Sequence, residues 1–394
     1  MKYLSQGAKS NLLQGFVWGV RLVFLIFLLS LITPVQPRAE LGAPQTVETH
    51  IPQLCVHTRL IDEVDEWKIQ RSLEMVREMG ATTITEFFPW AYIEHTRGVY
   101  QWDNVDRIVR HAQNQGIRII ARMGFVPSWA RETHDDTETT LNTLPETSYI
   151  DFSNFVAAFA SRYAGTIDHI IIWNEPNLAF EWGYRQVSAQ AYARLLEAVY
   201  EPAHRANPNV ILLAAPLAPT LEPRGSSHGL NDLLYFEDLY ASGASQYFDA
   251  VAVHTYGFTT SALEAPATDR LNFRRMELLR DLMINYGDEE KPIYITETGW
   301  NDHPRWTNAV TPAQRIAYSV EAVEYAQANS DWLQNLCFWV FRFPAPTYNY
   351  PDHFTFVNSD FEPKPIYFVL QNMARDLSTS EQLWRPSPLQ DSEN

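Results

Sequence analysis

Two glutamates stand at strand ends. In Ile170-Ile171-Ile172-Trp173-Asn174-Glu175-Pro176-Asn177 a carboxylate follows an apolar run and precedes a proline. The run reads as a buried strand, and proline, which has no N–H for a ladder, ends it. Burying a lone carboxylate is costly, so Glu175 is expected at a mouth open to water, at a C-terminal strand end. "PIYITETGW" (292–300) repeats the arrangement with Glu297. Two carboxyls across one mouth can divide labour. One, held protonated, gives a proton to a leaving oxygen; the other, ionised, attacks or activates water. That pair is what cleaving a glycosidic bond requires. Mutual repulsion and unlike surroundings separate the two pKa values.

Other residues fit around such a pair. Asn174 offers a neutral amide to hydroxyls without adding charge. Tyr256, in "HTYG" (254–257), can donate to Glu297 and keep it ionised, with His254 beside it. Trp339 can stack on the apolar face of a pyranose, or fill core. His57, at the end of the first strand, either binds a sugar hydroxyl or packs. Trp90, Trp129, Trp182, Trp300 and Trp306 all follow strands. One or two of these are expected in outer subsites, with Trp129 and Trp300 the candidates.

The elements that must position them repeat regularly. Apolar runs at 53–58, 82–88, 117–123, 169–174, 210–216, 249–256, 292–297 and 335–341 alternate with amphipathic segments such as "DEWKIQRSLEMVREMG" and "SAQAYARLLEAVYEPAHRA". Gly80 and Gly116 suit helix C-caps, and a last helix is expected at about 365–376. Eight strands, each followed by a helix, predict an α/β fold, a (β/α)8 TIM barrel forming a single catalytic domain over 51–380. Continuous apolar strands suit a sheet buried on both faces. A doubly wound sheet would show a glycine-rich turn after its first strand, and "CVHTRLIDE" has none. The longer loops follow strands, at 124–148, 217–229, 257–267, 298–311 and 342–362, and in a barrel share one face. Strands four and seven then lie on opposite sides, and Glu175 and Glu297 face each other.

"WNEPN", "HTYG", "TETGW" and Trp339 together resemble clan A of the glycoside hydrolases, over about residues 52–376. The chain is most similar to glycoside hydrolase family 39 and to cellulase-like family 5. "FPWAYIEHTRGVYQWDNVDRIV" and "DHFTFVNSDFEPKPIYFVL" also resemble these families. The resemblance implies a retaining hydrolase of O-glycosidic, β-linked oligo- or polysaccharides. Glu175 matches the acid/base, Glu297 the nucleophile and Asn174 the residue at the sugar 2-hydroxyl. His254 and Tyr256 match residues near the carboxylates, and Trp339 the platform under the sugar. Many clan members carry an arginine after strand two. Here that strand reads "ITEFFPW" with Glu86, so another group is expected to hold Glu297, or Glu86 to contact substrate. The alternatives are a transglycosylase and a non-catalytic polysaccharide-binding envelope protein.

The chain has 394 residues, 46% of them hydrophobic, enough for one large core. Lys2, Lys9, Arg21 and Arg38 against Glu40 give the first forty residues +3, so the remainder carries −20 of the net −17. That surface repels nucleic acid and anionic membrane. Residues 1–40 read as a signal peptide or an N-terminal membrane anchor around "LVFLIFLLSLI", which predicts a secreted or cell-envelope protein attached to membrane, if at all, through this segment. Residues 41–50 read as a linker and 381–394 as a C-terminal tail. The acidic run 131–140 reads as a solvated loop. "CVHTR" lacks the His-x-His of metal-dependent barrels and no two-histidine ligand spacing occurs elsewhere, so no metal and no cofactor is expected. Cys55 and Cys337 read first as buried small residues and second as a disulfide between neighbouring strands.

Overall fold

The structure is a computed structural model describing residues 6–31, 39–131 and 139–376. The expected tail 381–394 and most of the acidic run 131–140 lie outside the described residues. The chain divides into two units, Met1–Glu40 and Leu41–Asn394. The first contains one helix, α1 (Gln6–Leu31), with Phe16, Trp18 and Phe24 exposed. Among the described residues no helix is long and apolar enough to cross a membrane.

The second unit is a closed parallel barrel. Its strands are β1 (Leu54–His57), β2 (Thr83–Pro89), β3 (Arg118–Gly124), β4 (His169–Ile172), β5 (Ile211–Ala214), β6 (Ala250–Tyr256), β7 (Ile293–Gly299) and β8 (Leu333–Phe338), in that order around the ring, with β8 pairing β1. The helices are α2 (Glu66–Met79), the short α3 (Trp90–Ile93), α4 (Asp103–Asn114), α5 (Tyr149–Arg162), α6 (Ala189–Ala206), α7 (Asp232–Ala241), α8 (Met276–Asn285), α9 (Pro312–Ala328) and α10 (Pro365–Arg375). Gly80 ends α2 at φ +89°, and Gly116 follows α4 at φ +68°, backbone that glycine adopts without penalty. The stretch 41–50 is bonded to the barrel unit: Gln45 N–H donates to the Asn114 carbonyl and His50 N–H to the Ala374 carbonyl, each at 2.7 Å. That corrects the expectation of a linker.

Side chains alternate along each strand, so every second residue enters the barrel. At the N-terminal end His169 and Tyr294 meet at 3.1 Å. A middle layer holds Ile120, Ile171, Leu213 and Ala252. Cys55 and Cys337 are in register on β1 and β8 and form a disulfide, which replaces the reading as two separate buried residues. Two residues further along come His57, Arg122, His254 and Trp339, at the C-terminal mouth. Strict alternation from Tyr294 would turn Thr296 inward and Glu297 outward. Instead, β6 pairs Val253 with Ile295 and His254 with Glu297, so Thr296 is an extra residue on β7. This bulge re-phases the strand and aims Glu297 into the mouth.

Candidate active site

A cavity of about 430 Å³ opens at this mouth, and Asn174, Glu175, Tyr256, Glu297 and Trp339 line it. β4 stops at Ile172, and Trp173 and Glu175 then take left-handed backbone, φ +83° and +40°. Such conformations cost bulky residues of order 1–3 kcal/mol and persist only where surroundings fix them. Here the Trp173 indole donates to the Glu181 carbonyl at 2.9 Å, and Glu175 N–H donates to the Pro216 carbonyl at 3.0 Å. The turn thereby displays Glu175 and Asn174 side by side.

One imidazole lies between the two carboxyls. His254 Nδ1 is 2.7 Å from Glu175 Oε1, and its Nε2 is 3.7 Å from Glu297 Oε1. Burial pulls His254 down to about 4, with the Glu297 charge opposing, so the ring is neutral near pH 7. Burial pushes the Glu175 carboxyl up to about 7, with Arg122 opposing. Glu297 accepts from two donors and has two imidazoles nearby. The Tyr256 hydroxyl donates to Oε2 at 2.9 Å, while Arg122 Nη1 lies 3.3 Å and His57 Nε2 3.4 Å from Oε1. Burial and then the Glu297 charge hold the Tyr256 hydroxyl well above its ordinary value, so it remains a donor. One carboxyl can hold a proton near neutrality, and the other accepts from a tyrosine hydroxyl and a guanidinium.

Arg122 was not among the residues expected at the site. Its Nη1 also donates to Asn174 Oδ1 at 2.6 Å, and its guanidinium lies over the Phe87 ring at 4.6 Å. The signal was the second arginine of the otherwise apolar run "IRIIARM", at its C-terminal end. The guanidinium comes from β3 rather than from the loop after β2, as the missing arginine there required. Glu86 does not take its place. It is buried and accepts from Thr58 Oγ1 at 2.5 Å and from the N–H groups of Leu60 and Ile61 at 3.0 and 3.1 Å, holding the turn after β1.

The other candidates divide. His57 is 1% exposed and does not line the cavity; it stands behind Glu297, where a sugar hydroxyl does not reach. Trp129 donates to the Glu94 carbonyl at 3.0 Å and packs edge-on against Trp90. Trp300 is fully buried and donates to the Thr260 carbonyl at 2.7 Å. Neither tryptophan lines the cavity, which corrects both as subsite candidates: their indole N–H groups are spent on loop carbonyls. Trp306 does line it, stacked on Tyr350 at 5.1 Å between ring centres, and Trp339 stands edge-on to Phe354 at 5.1 Å.

No curated protein sequence matches this chain. A family 39 glycoside hydrolase from the gut symbiont Bacteroides cellulosilyticus aligns with a TM-score of 0.65 at 19% identity, over 84% of this chain and 65% of that one. The chain therefore spans slightly less than two thirds of that protein's length. A monomeric beta-xylosidase from Caulobacter crescentus aligns with a TM-score of 0.58 at 19% identity, covering 84% and 69% of the two chains. A GH5_18 enzyme from Bifidobacterium longum aligns at 0.58 and 14% identity, covering 82% and 77%. At these identities the likeness speaks for the (β/α)8 fold. The sequence model of glycosyl hydrolases family 39 matches residues 70–393, and the chain belongs to that family.

Proposed function

We propose that the chain is a retaining β-glycoside hydrolase of oligo- or polysaccharides, with Glu297 as nucleophile and Glu175 as acid/base. The observation that carries this reading is the asymmetry of the pair: Glu175 is pushed up to about 7, and Glu297 faces Tyr256, Arg122 and two neutral imidazoles. In the first step a Glu297 oxygen bonds to the anomeric carbon as the bond to the leaving oxygen breaks. Glu175 supplies that oxygen with its proton. Glu175, now anionic, takes a proton from water, whose oxygen bonds to the anomeric carbon and releases Glu297. His254 suits this cycle. While Glu175 is protonated its O–H can donate to Nδ1, which leaves the ring proton on Nε2, facing Glu297.

The similar Caulobacter crescentus protein is a beta-xylosidase, which makes aryl β-xylosides the first probes. Incubation with a 2-deoxy-2-fluoro aryl β-xyloside should leave a sugar adduct on the peptide containing Glu297, detected by mass spectrometry. Glu297→Gln should abolish both turnover and labelling. A label elsewhere, or turnover surviving in Glu297→Gln, ends this reading. Residues 1–40 support export, tested by fractionating cells that express the full chain.

A further inference from the structure

A third carboxyl lines the cavity, on the side where the leaving group must go. Glu297 stands on β7 and meets the anomeric carbon, while Glu175 follows β4 and meets the leaving oxygen. The departing group therefore lies on the β3 and β4 side, with the retained sugar at Trp339 after β8. That placement rests on the function proposed above. Two loops build this side, and each contributes a polar side chain. Glu181 lies between β4 and α6 and Asn142 between β3 and α5; both are half-buried and line the cavity.

The two loops are locked together. Asn142 Nδ2 donates to the Phe180 carbonyl at 3.2 Å and to Glu181 Oε2 at 3.3 Å. The Trp173 indole fixes the Glu181 carbonyl at 2.9 Å. Gly183 takes φ +72°, and a Cβ there would come within 2.8 Å of the Asn142 carbonyl oxygen, so the loops touch backbone to backbone. Both N–H groups of the Asn142 amide are used, which leaves its oxygen for a ligand. A carboxylate accepts several hydrogen bonds, so Glu181 has acceptor positions to spare. Phe125, in the same loop as Asn142, also lines the cavity and holds left-handed backbone at φ +55°. Bulky residues in such backbone gather at functional sites.

We propose that Glu181 and Asn142 form a leaving-group subsite for the hydroxyls of a second sugar, so that binding energy on this side is available to a saccharide leaving group and not to an apolar one. A sugar brings hydroxyl donors to the two acceptors and a C–H face to the apolar surface of Phe125. An aryl group takes water from both acceptors and gives them no donor in exchange, which disfavours its binding there. Burial first, then the Glu175 charge, pushes Glu181 up to about 7. Near neutrality it accepts from one hydroxyl or, protonated, donates to another.

The test uses the full chain with an aryl β-xyloside and with β-linked xylose disaccharides. Glu181→Ala should lower the disaccharide-to-aryl ratio of kcat/KM roughly tenfold or more, and Asn142→Ala should lower it roughly fivefold, as lost hydrogen bonds to a charged and a neutral group do. Glu181→Gln, which keeps an acceptor oxygen, should restore most of the ratio. The aryl substrate, cleaved by the same two glutamates, reports any disturbance of the catalytic pair, and thermal unfolding reads the fold. An unchanged ratio in Glu181→Ala, through equal losses or none, overturns the subsite. So does a wild type that cleaves the aryl glycoside and none of the disaccharides. Both results leave the hydrolase reading standing, whereas a wild type inactive on every glycoside overturns both proposals.

Discussion

Arg122 touches both sides of the site, 3.3 Å from Glu297 and 2.6 Å from Asn174, and its charge opposes the rise in the Glu175 pKa. Arg122→Met should lower kcat by roughly a hundredfold, the usual cost of losing one charged donor near developing charge. It should also move the alkaline limb of kcat/KM to higher pH, because Glu175 then keeps its proton longer. A limb that stays in place, or moves down, would place the guanidinium's effect elsewhere. Glu175 carries a second consequence. Its carboxyl is raised from 4.5 to about 7 by burial. Below the unfolded value both states are protonated. Between the two values the unfolded chain gives up a proton that the folded one keeps, so stability falls as pH rises through this window and is level above it. The loss is on the order of 3 kcal/mol. Glu175→Gln should therefore be more stable than wild type at pH 8 and gain nothing comparable at pH 4, read from thermal unfolding at both. Parallel curves for the two proteins would refute the buried charge. Glu175 and Glu297 were legible because a carboxylate ending an apolar run contradicts its surroundings. Glu181, which also lines the cavity, was not, because an acid between Phe180 and Trp182 in a loop looks the same whether it faces solvent or a cavity.

The helix and strand sequence of the barrel could be read from periodicity, since each strand is apolar on both faces and each helix presents one stripe. What periodicity could not give is the phase of β7. The bulge at Thr296 reverses which residues enter the barrel, and no run of residue types announces it. The left-handed backbone at Trp173 and Glu175 was equally hidden, because packing and two hydrogen bonds impose it on residues that do not prefer it. Trp300 shows the same dependence. It reads as a cleft tryptophan by its position after β7, yet its indole lies flat on Gly257, where a Cβ would come within 2.0 Å of Nε1. Gly257→Ala should therefore expel the indole from its bond to Thr260 and shift Tyr256 next door. The expected result is a loss of about 1–3 kcal/mol by overpacking, together with a fall in kcat. Unfolding curves and kinetics on the purified variant check both. Unaltered stability would mean that the loop after β6 yields more easily than its packing against Trp300 implies.

At the scale of the whole barrel the decisive contact is between its first and last strands. β1 is four residues long, buried throughout, and joins β2 on one side and β8 on the other. Eight strand-helix alternations made a barrel legible, but the state of the two cysteines depended on the closed register, which brings Cys55 beside Cys337. The disulfide ties residues 282 apart in sequence. A cross-link over so long a loop removes much of the unfolded chain's freedom, and native disulfides contribute about 2–5 kcal/mol. It also lies two residues below His57 and Trp339, so it pins the strand pair whose ends stand behind and beside Glu297. Replacing both cysteines with alanine should lower the guanidinium midpoint by an amount in that range. The kcat on an aryl glycoside should stay within a few fold of wild type, because neither sulfur lines the cavity. The bond is buried in the folded barrel and out of reach of reductant. Wild type unfolded and refolded with dithiothreitol should therefore match the double variant, whereas wild type handled without it should not. Coincident midpoints for all three would show that hydrogen bonding and packing between β1 and β8 close the barrel unaided.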